Sequence, residues 1–290
     1  MSSEIQIPTR YLRLAARAWG PADGLPVLAL HGWLDNAASF DRLAPLLPAL
    51  RLIALDLPGH GLSEWRPPGV HYHFIDFIPD VIAAADALNW YRFALLGHSL
   101  GAGIASFVAA TLPERITHLG LIEGLGPLSG DPSEGPRQLA KSLTQMNRLE
   151  QKALPVYVNQ DEAARARHEA SDLSWPAAAV IAARGTQPAG LGVSWRSDPR
   201  LTFKSPVYLT EEQVLAFLAA IRAPTLLLRG EAGYLVKRAF MAKRFRQVPQ
   251  LQIKVLPGGH HLHLEEPAPV ANALAGFFRP AAASPAGGDG

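Results

Sequence analysis

Short uninterrupted apolar runs alternate with longer stretches whose apolar residues recur every three or four positions, and this rhythm predicts the elements of the chain. Val27-Leu28-Ala29-Leu30, Leu52 to Leu55, Phe93 to Leu96, Ile116 to Ile122, Thr225 to Leu228 and Leu251 to Leu256 read as strands. Most are continuous enough to be buried on both faces. Tyr11 to Trp19 differs: Leu12, Leu14, Ala16 and Ala18 share one face while Arg13 and Arg17 take the other, which predicts a half-exposed edge strand. Helical spacing follows over Phe40 to Leu47, Phe74 to Leu88, Leu100 to Leu112, Phe240 to Phe245 and Pro267 to Phe278. Strand and helix in turn predict an α/β fold, a mostly parallel central sheet with helices on both faces.

The rhythm breaks between Gly124 and Arg222. No strong buried-strand run occurs there, and helix-like segments (Gln138 to Leu154, Glu162 to Glu169, Trp175 to Ala183, Glu211 to Ala220) are separated by Pro, Gly, Ser and Asp. The pattern predicts an α-helical cap inserted over the carboxyl end of the sheet, with Trp175 and Trp195 as candidate wall or packing residues. The chain then divides into a first core part at 1–123, the helical cap at 124–222, a second core part at 223–279 and a disordered tail at 280–290, rich in Pro, Ala, Gly and Ser.

Composition narrows the function. With 290 residues, 48% of them hydrophobic, a sizeable core is available. Cysteine is absent, which excludes disulfides, thiolate zinc sites and cysteine nucleophiles. No apolar run is long enough to span a bilayer, and the opening residues lack a basic segment followed by an apolar one, so a cytoplasmic protein is expected. Net charge is only +2. The one basic cluster, Lys237, Arg238, Lys243, Arg244 and Arg246, lies at helical spacing beside Phe240, Met241 and Phe245 and reads as a solvated helix face. A nucleic-acid partner is therefore not expected, and oligomeric state is left open.

Gly97-His98-Ser99-Leu100-Gly101 lies between a buried strand and a helix, the setting in which Gly-x-Ser-x-Gly forms a nucleophile elbow. A serine hydroxyl needs a base to take its proton and a third group to orient that base. Far downstream, Gly258-Gly259-His260-His261-Leu262-His263 lies between the last strand and the last helix, and His260 follows the glycine pair as the candidate base. His261 or His263 would take the role in another loop register. Three histidines also invite a metal, but the segment is a loop without the carboxylate spacing of a metalloprotease helix, so none is expected. Backbone N–H groups of Leu100 and of Trp33, in His31-Gly32-Trp33, are the candidate oxyanion donors. His31 and the loop Asp56 to Ser63 read as structural, and Asp198-Pro199-Arg200 as an internal ion pair.

Together His31-Gly32, Asp56-x-x-Gly59-His60-Gly61-x-Ser63, Gly97-His98-Ser99-x-Gly101 and Gly259-His260-x-x-x-x-Glu265-x-Pro267 resemble the α/β-hydrolase fold superfamily from Tyr11 to Phe278. Arg184-Gly185-Thr186, Ser197 to Leu201 and Gly233-Tyr234 resemble its serine hydrolase-like branch. The resemblance implies a hydrolase without a cofactor. Many members carry an aspartate as triad acid third after the glycine that ends the strand near Leu228, where this chain has Gly233. Two carboxylates are candidates in its place. Glu123 ends the strand Ile116 to Ile122, and the branch carries an acid there; Glu231 follows Gly230 directly and is the alternative. Haloalkane dehalogenases also place an acid after the earlier strand, but their nucleophile is aspartate. The reading is a serine hydrolase of small-molecule esters or related acyl compounds; the alternative is a non-catalytic ligand-binding or interaction protein on the same fold.

Overall fold

Buried apolar runs become the middle of an eight-stranded sheet. The structure, a computed structural model, describes residues 2–148, 154–237 and 240–279. The tail expected at 280–290 lies outside the described residues, as do positions 149–153 of the helix expected to reach Leu154 and Arg238 of the basic cluster. The first elements are β1 (Ser3–Pro8), β2 (Arg13–Trp19), β3 (Leu25–Leu30) and β4 (Leu50–Leu55), then α1 (Phe77–Ala87), β5 (Phe93–His98), α2 (Leu100–Thr111) and β6 (Ile116–Ile122). An insertion follows with α3 (Gly135–Asn147), β7 (Val156–Tyr157), α4 (Gln160–Glu169), α5 (Trp175–Gly185), β8 (Thr186–Ala189) and β9 (Gly192–Trp195). The chain closes with α6 (Glu211–Ala219), β10 (Thr225–Gly230), α7 (Met241–Gln247), β11 (Leu251–Leu256), α8 (Leu262–Glu265) and α9 (Pro267–Phe277).

Strand order is β1-β2-β4-β3-β5-β6-β10-β11, parallel from β4 to β11 and antiparallel at β1 and β2. One core packs α1, α2 and α6 on one face, around Phe107, Val108, Val214 and Leu218; the other packs α9 through Val270 and Leu274 against Val27, Leu96 and Leu228. Because βαβ crossovers cover both faces, β3 and β5 are buried almost throughout. Their carboxyl ends, with those of β6 and β10, open on one edge, where loops of different strands meet.

Five expectations are corrected. β2 is not the edge: β1, whose polar sequence hides it, pairs outside it, and Leu14 to Ala16 are buried. The helix expected over Phe40 to Leu47 is two short 3₁₀ turns, Ala37–Phe40 and Ala44–Leu46, the second with Pro45 in its first turn. The insertion is not all helical, since β7, β9 and β8 form a three-stranded antiparallel sheet; these strands are two to four residues long and half exposed, so they leave no buried run to read. Its last helix, α6, belongs to the core layer through Val214 and Leu218. Finally, Arg244 is buried rather than solvated: its guanidinium donates to Glu211 and to the carbonyls of Leu125 and Pro127.

Buried ion pairs bind the insertion to the core. Arg184 on α5 pairs with Asp56, which follows β4 and also accepts the N–H groups of Ala37 and Leu62. Arg200 bonds Asp198 and donates to the carbonyls of Arg66, Pro67 and Val70, so this pair does tie the insertion to a core loop. Asn36 completes the seam by donating to the Ile181 carbonyl.

Candidate active site

Ser99 stands where β5 turns sharply into α2, with φ 52° and ψ −111°. The left-handed φ is costly for a side chain and holds the serine clear of the strand. The turn is tight because Gly101 lets two loops touch: its N–H donates to the His31 carbonyl at 3.1 Å, and a Cβ there would lie 2.1 Å from the Leu30 oxygen. That contact sets the start of α2, with Leu100, beside the His31-Gly32-Trp33 loop. Trp33 is half exposed and its indole N–H donates to the Leu201 carbonyl, so the ring also anchors the insertion. His31 is buried, accepts the Leu57 N–H and is held neutral with its pKa pushed down to about 4, chiefly by burial. It is a loop brace.

His260 Nε2 lies 2.9 Å from Ser99 Oγ, and its Nδ1 lies 3.4 Å from Glu123 Oε2. Glu123 is buried at the end of β6, itself at φ 50°, and its carboxylate accepts the N–H groups of Gly230 and Leu235. Strain is thus placed at both the serine and the acid. A Cβ on Gly233 would sit 2.2 Å from Glu123 Oε1. The space where a side chain at 233 would begin is therefore filled by the Glu123 carboxylate reaching across from the neighbouring strand. Glu231 is exposed, and its own N–H donates to the Leu256 carbonyl. The structure brings Ser99, His260 and Glu123 together; Glu231 is not among them.

The other two histidines have separate partners. His263 bonds Ser39 Oγ at 2.7 Å and is kept neutral by burial and by His261, its pKa near 3. His261 Nδ1 lies 3.0 Å from Asp172 Oδ1, and its Nε2 lies 3.4 Å from Asp35 Oδ2. Burial works against its charge, yet Asp35 and Asp172 outweigh it and raise its pKa to about 9. Asp35, buried, also accepts from Arg167 at 2.8 Å. Asp35, His98 and His261 are the set close enough to hold a metal among the described residues, with donor atoms within 4.8 Å of one another. With Arg167 and a protonated His261 facing Asp35 and Asp172, however, the group is already neutral, and a divalent ion replacing that proton would leave excess positive charge in a buried place. Sequence reasoning missed Asp35, Arg167 and Asp172; only Asp35 stood near a motif.

A pH dependence of stability follows. The raised His261 value contributes stability that is complete below its ordinary 6.5 and is lost as pH rises through about 9. The thermal midpoint should fall across that alkaline range in the native protein and fall less in His261→Gln. Equal slopes in both would remove the doubly held imidazolium.

The profile of a family described as alpha/beta hydrolase fold matches residues 26–267. The chain belongs to the α/β-hydrolase superfamily. Within it the likeness is to the serine hydrolase-like branch: serine hydrolase-like protein 2 of Homo sapiens is 32% identical, the alignment covering 96% of this chain and 94% of the relative. Among solved structures, a hypothetical protein from Pseudomonas aeruginosa PAO1 is 43% identical, with a TM-score of 0.91 over 95% of this chain and 99% of that one. A thioesterase domain from the curacin biosynthetic pathway is 26% identical, with a TM-score of 0.85 over 94% and 99%. These likenesses support hydrolase activity in general. Among the described residues of this α/β hydrolase, no helix is long and apolar enough to cross a membrane.

Proposed function

We propose that this protein is a serine hydrolase of small-molecule carboxylic esters or related acyl compounds, working through an acyl-enzyme. The observation that carries the reading is the 2.9 Å approach of His260 Nε2 to Ser99 Oγ, with Glu123 behind the ring. Facing a carboxylate, His260 keeps its proton on Nδ1 and presents a lone pair to the serine hydroxyl. Ser99 attacks the acyl carbon as His260 takes its proton; the imidazolium is stabilised by Glu123 and then protonates the leaving group. The N–H groups of Leu100, at a helix start, and of Trp33 receive the developing oxyanion. Water deacylates Ser99 by the same base. Likeness to a thioesterase domain supports an acyl substrate, and the lack of cysteine supports a cytoplasmic setting. The insertion from Gly124 to α5 and β9 supplies the substrate wall in this reading.

Hydrolysis of p-nitrophenyl esters of increasing chain length tests it: a burst of nitrophenol equal to enzyme, followed by slower turnover, is expected. Tight ester binding with neither burst nor turnover would favour a non-catalytic protein. Gly233→Ala should push the Glu123 carboxylate off His260 and lower kcat by on the order of 10²-fold, the scale of a 1 Å misplacement, with KM nearly unchanged. A fully active Gly233→Ala would mean that the carboxylate does not need that space.

A further inference from the structure

The base of this site is held from outside the core. His260 sits on a loop, and two of its own backbone groups are tied down. Its carbonyl accepts from His98 Nε2 at 2.9 Å, and since a carbonyl only accepts, His98 carries its proton there. His98 is the neighbour of Ser99, so this bond joins nucleophile loop to base loop. The His260 N–H is taken by Asp172 Oδ2 at 3.1 Å. Asp172 belongs to the insertion, between α4 and α5, and its other oxygen takes His261 Nδ1 at 3.0 Å. One carboxylate therefore grips two consecutive residues of the base loop. Beyond it, His261 leans on Asp35, which Arg167 of α4 holds in turn. Ser174 doubles the seam, donating its N–H and hydroxyl to the two Glu265 oxygens, each at 2.6 Å.

We propose that Asp172 is a positioning residue for His260: a latch by which the seating of the insertion sets the aim of the catalytic base. The inference rests on the triad reading above. Asp172 touches neither Ser99 nor Glu123, so it acts through the loop and not on the reacting atoms. Its side chain is 51% exposed, which places the latch at the rim where a shift of the insertion would reach it. Losing it need not unseat the insertion, because Arg184 on Asp56, Asn36 on Ile181 and Ser174 on Glu265 remain. A residue that served only folding would change stability and leave the chemistry of the folded fraction alone. A latch predicts the reverse: a loss in kcat with KM and folding retained. Asparagine keeps one acceptor oxygen and should recover part of the loss; alanine keeps none.

The test compares native protein, Ser99→Ala, Asp172→Ala and Asp172→Asn in fluorophosphonate labelling rate, in kcat and KM for p-nitrophenyl butyrate, and in thermal midpoint. Expected is a fall of on the order of 10²-fold in labelling rate and kcat for Asp172→Ala, a smaller fall for Asp172→Asn, KM close to native in both, and a midpoint lowered only by the loss of the His261 pair, with both variants fully folded at the assay temperature. Native rates in Asp172→Ala would overturn the latch, as would a loss matched by an equal loss of folded protein. A stoichiometric divalent metal in the purified protein would overturn it too, since a metal on His98, Asp35 and His261 would then fix the loop. If Ser99→Ala labels like native protein, or if native protein does not label, the triad reading falls and the latch falls with it. If Ser99→Ala alone is silent, only the latch is refuted by an unaffected Asp172→Ala.

Discussion

Ser99→Ala should lose fluorophosphonate labelling altogether and lose turnover by on the order of 10⁶-fold, the scale seen when a triad nucleophile is removed from a serine hydrolase. The effect is large because the base has one place to act. His260 Nε2 points at Ser99 Oγ, while His261 and His263 are committed to Asp172 and Ser39. Alanine removes the bond-forming atom and little else, so folding should be unchanged. Pre-steady-state kinetics with a p-nitrophenyl ester checks it: the burst vanishes along with turnover. Turnover retained in Ser99→Ala would mean that another group carries the chemistry.

The second large effect is expected at Glu123. Glu123→Gln keeps the shape but removes the charge that stabilises the imidazolium and fixes its tautomer, so kcat should drop by about 10⁴-fold. Two backbone N–H groups, of Gly230 and Leu235, now point at the carboxylate. A glutamine can offer only one acceptor oxygen to them, and its amide would turn a donor toward one of them or toward His260. Glu231→Gln, an exposed change away from the ring, should leave kcat near native. Collapse in Glu231→Gln with normal kcat in Glu123→Gln would place the acid on the other strand.

Much of this was legible because buried strands announce themselves. Leu28, Leu95 and Leu227 sit in continuous apolar runs that only a sheet covered on both faces accommodates. The candidates Ser99 and Glu123 each lie just past a buried strand and His260 past the exposed edge strand β11, so their approximate placement followed from the order of strands. What stayed hidden depends on pairing and not on pattern. β1 is a polar edge whose partner, β2, could not be known to have a neighbour. β8 and β9 are too short and too exposed to leave a period. Arg244 looked like a surface cation because its buried acceptors, the Leu125 and Pro127 carbonyls, lie more than a hundred residues away. Asp172 had no motif at all; its meaning comes from two N–H groups that the fold brings to it.

Peptide mapping of the fluorophosphonate adduct tests the central claim most directly. One adduct per chain, carried by the peptide that contains Ser99 and formed far more slowly in His260→Ala and Glu123→Gln, is the predicted result. An adduct on any other residue, or one on Ser99 that forms as fast without His260 and Glu123 as with them, would contradict it.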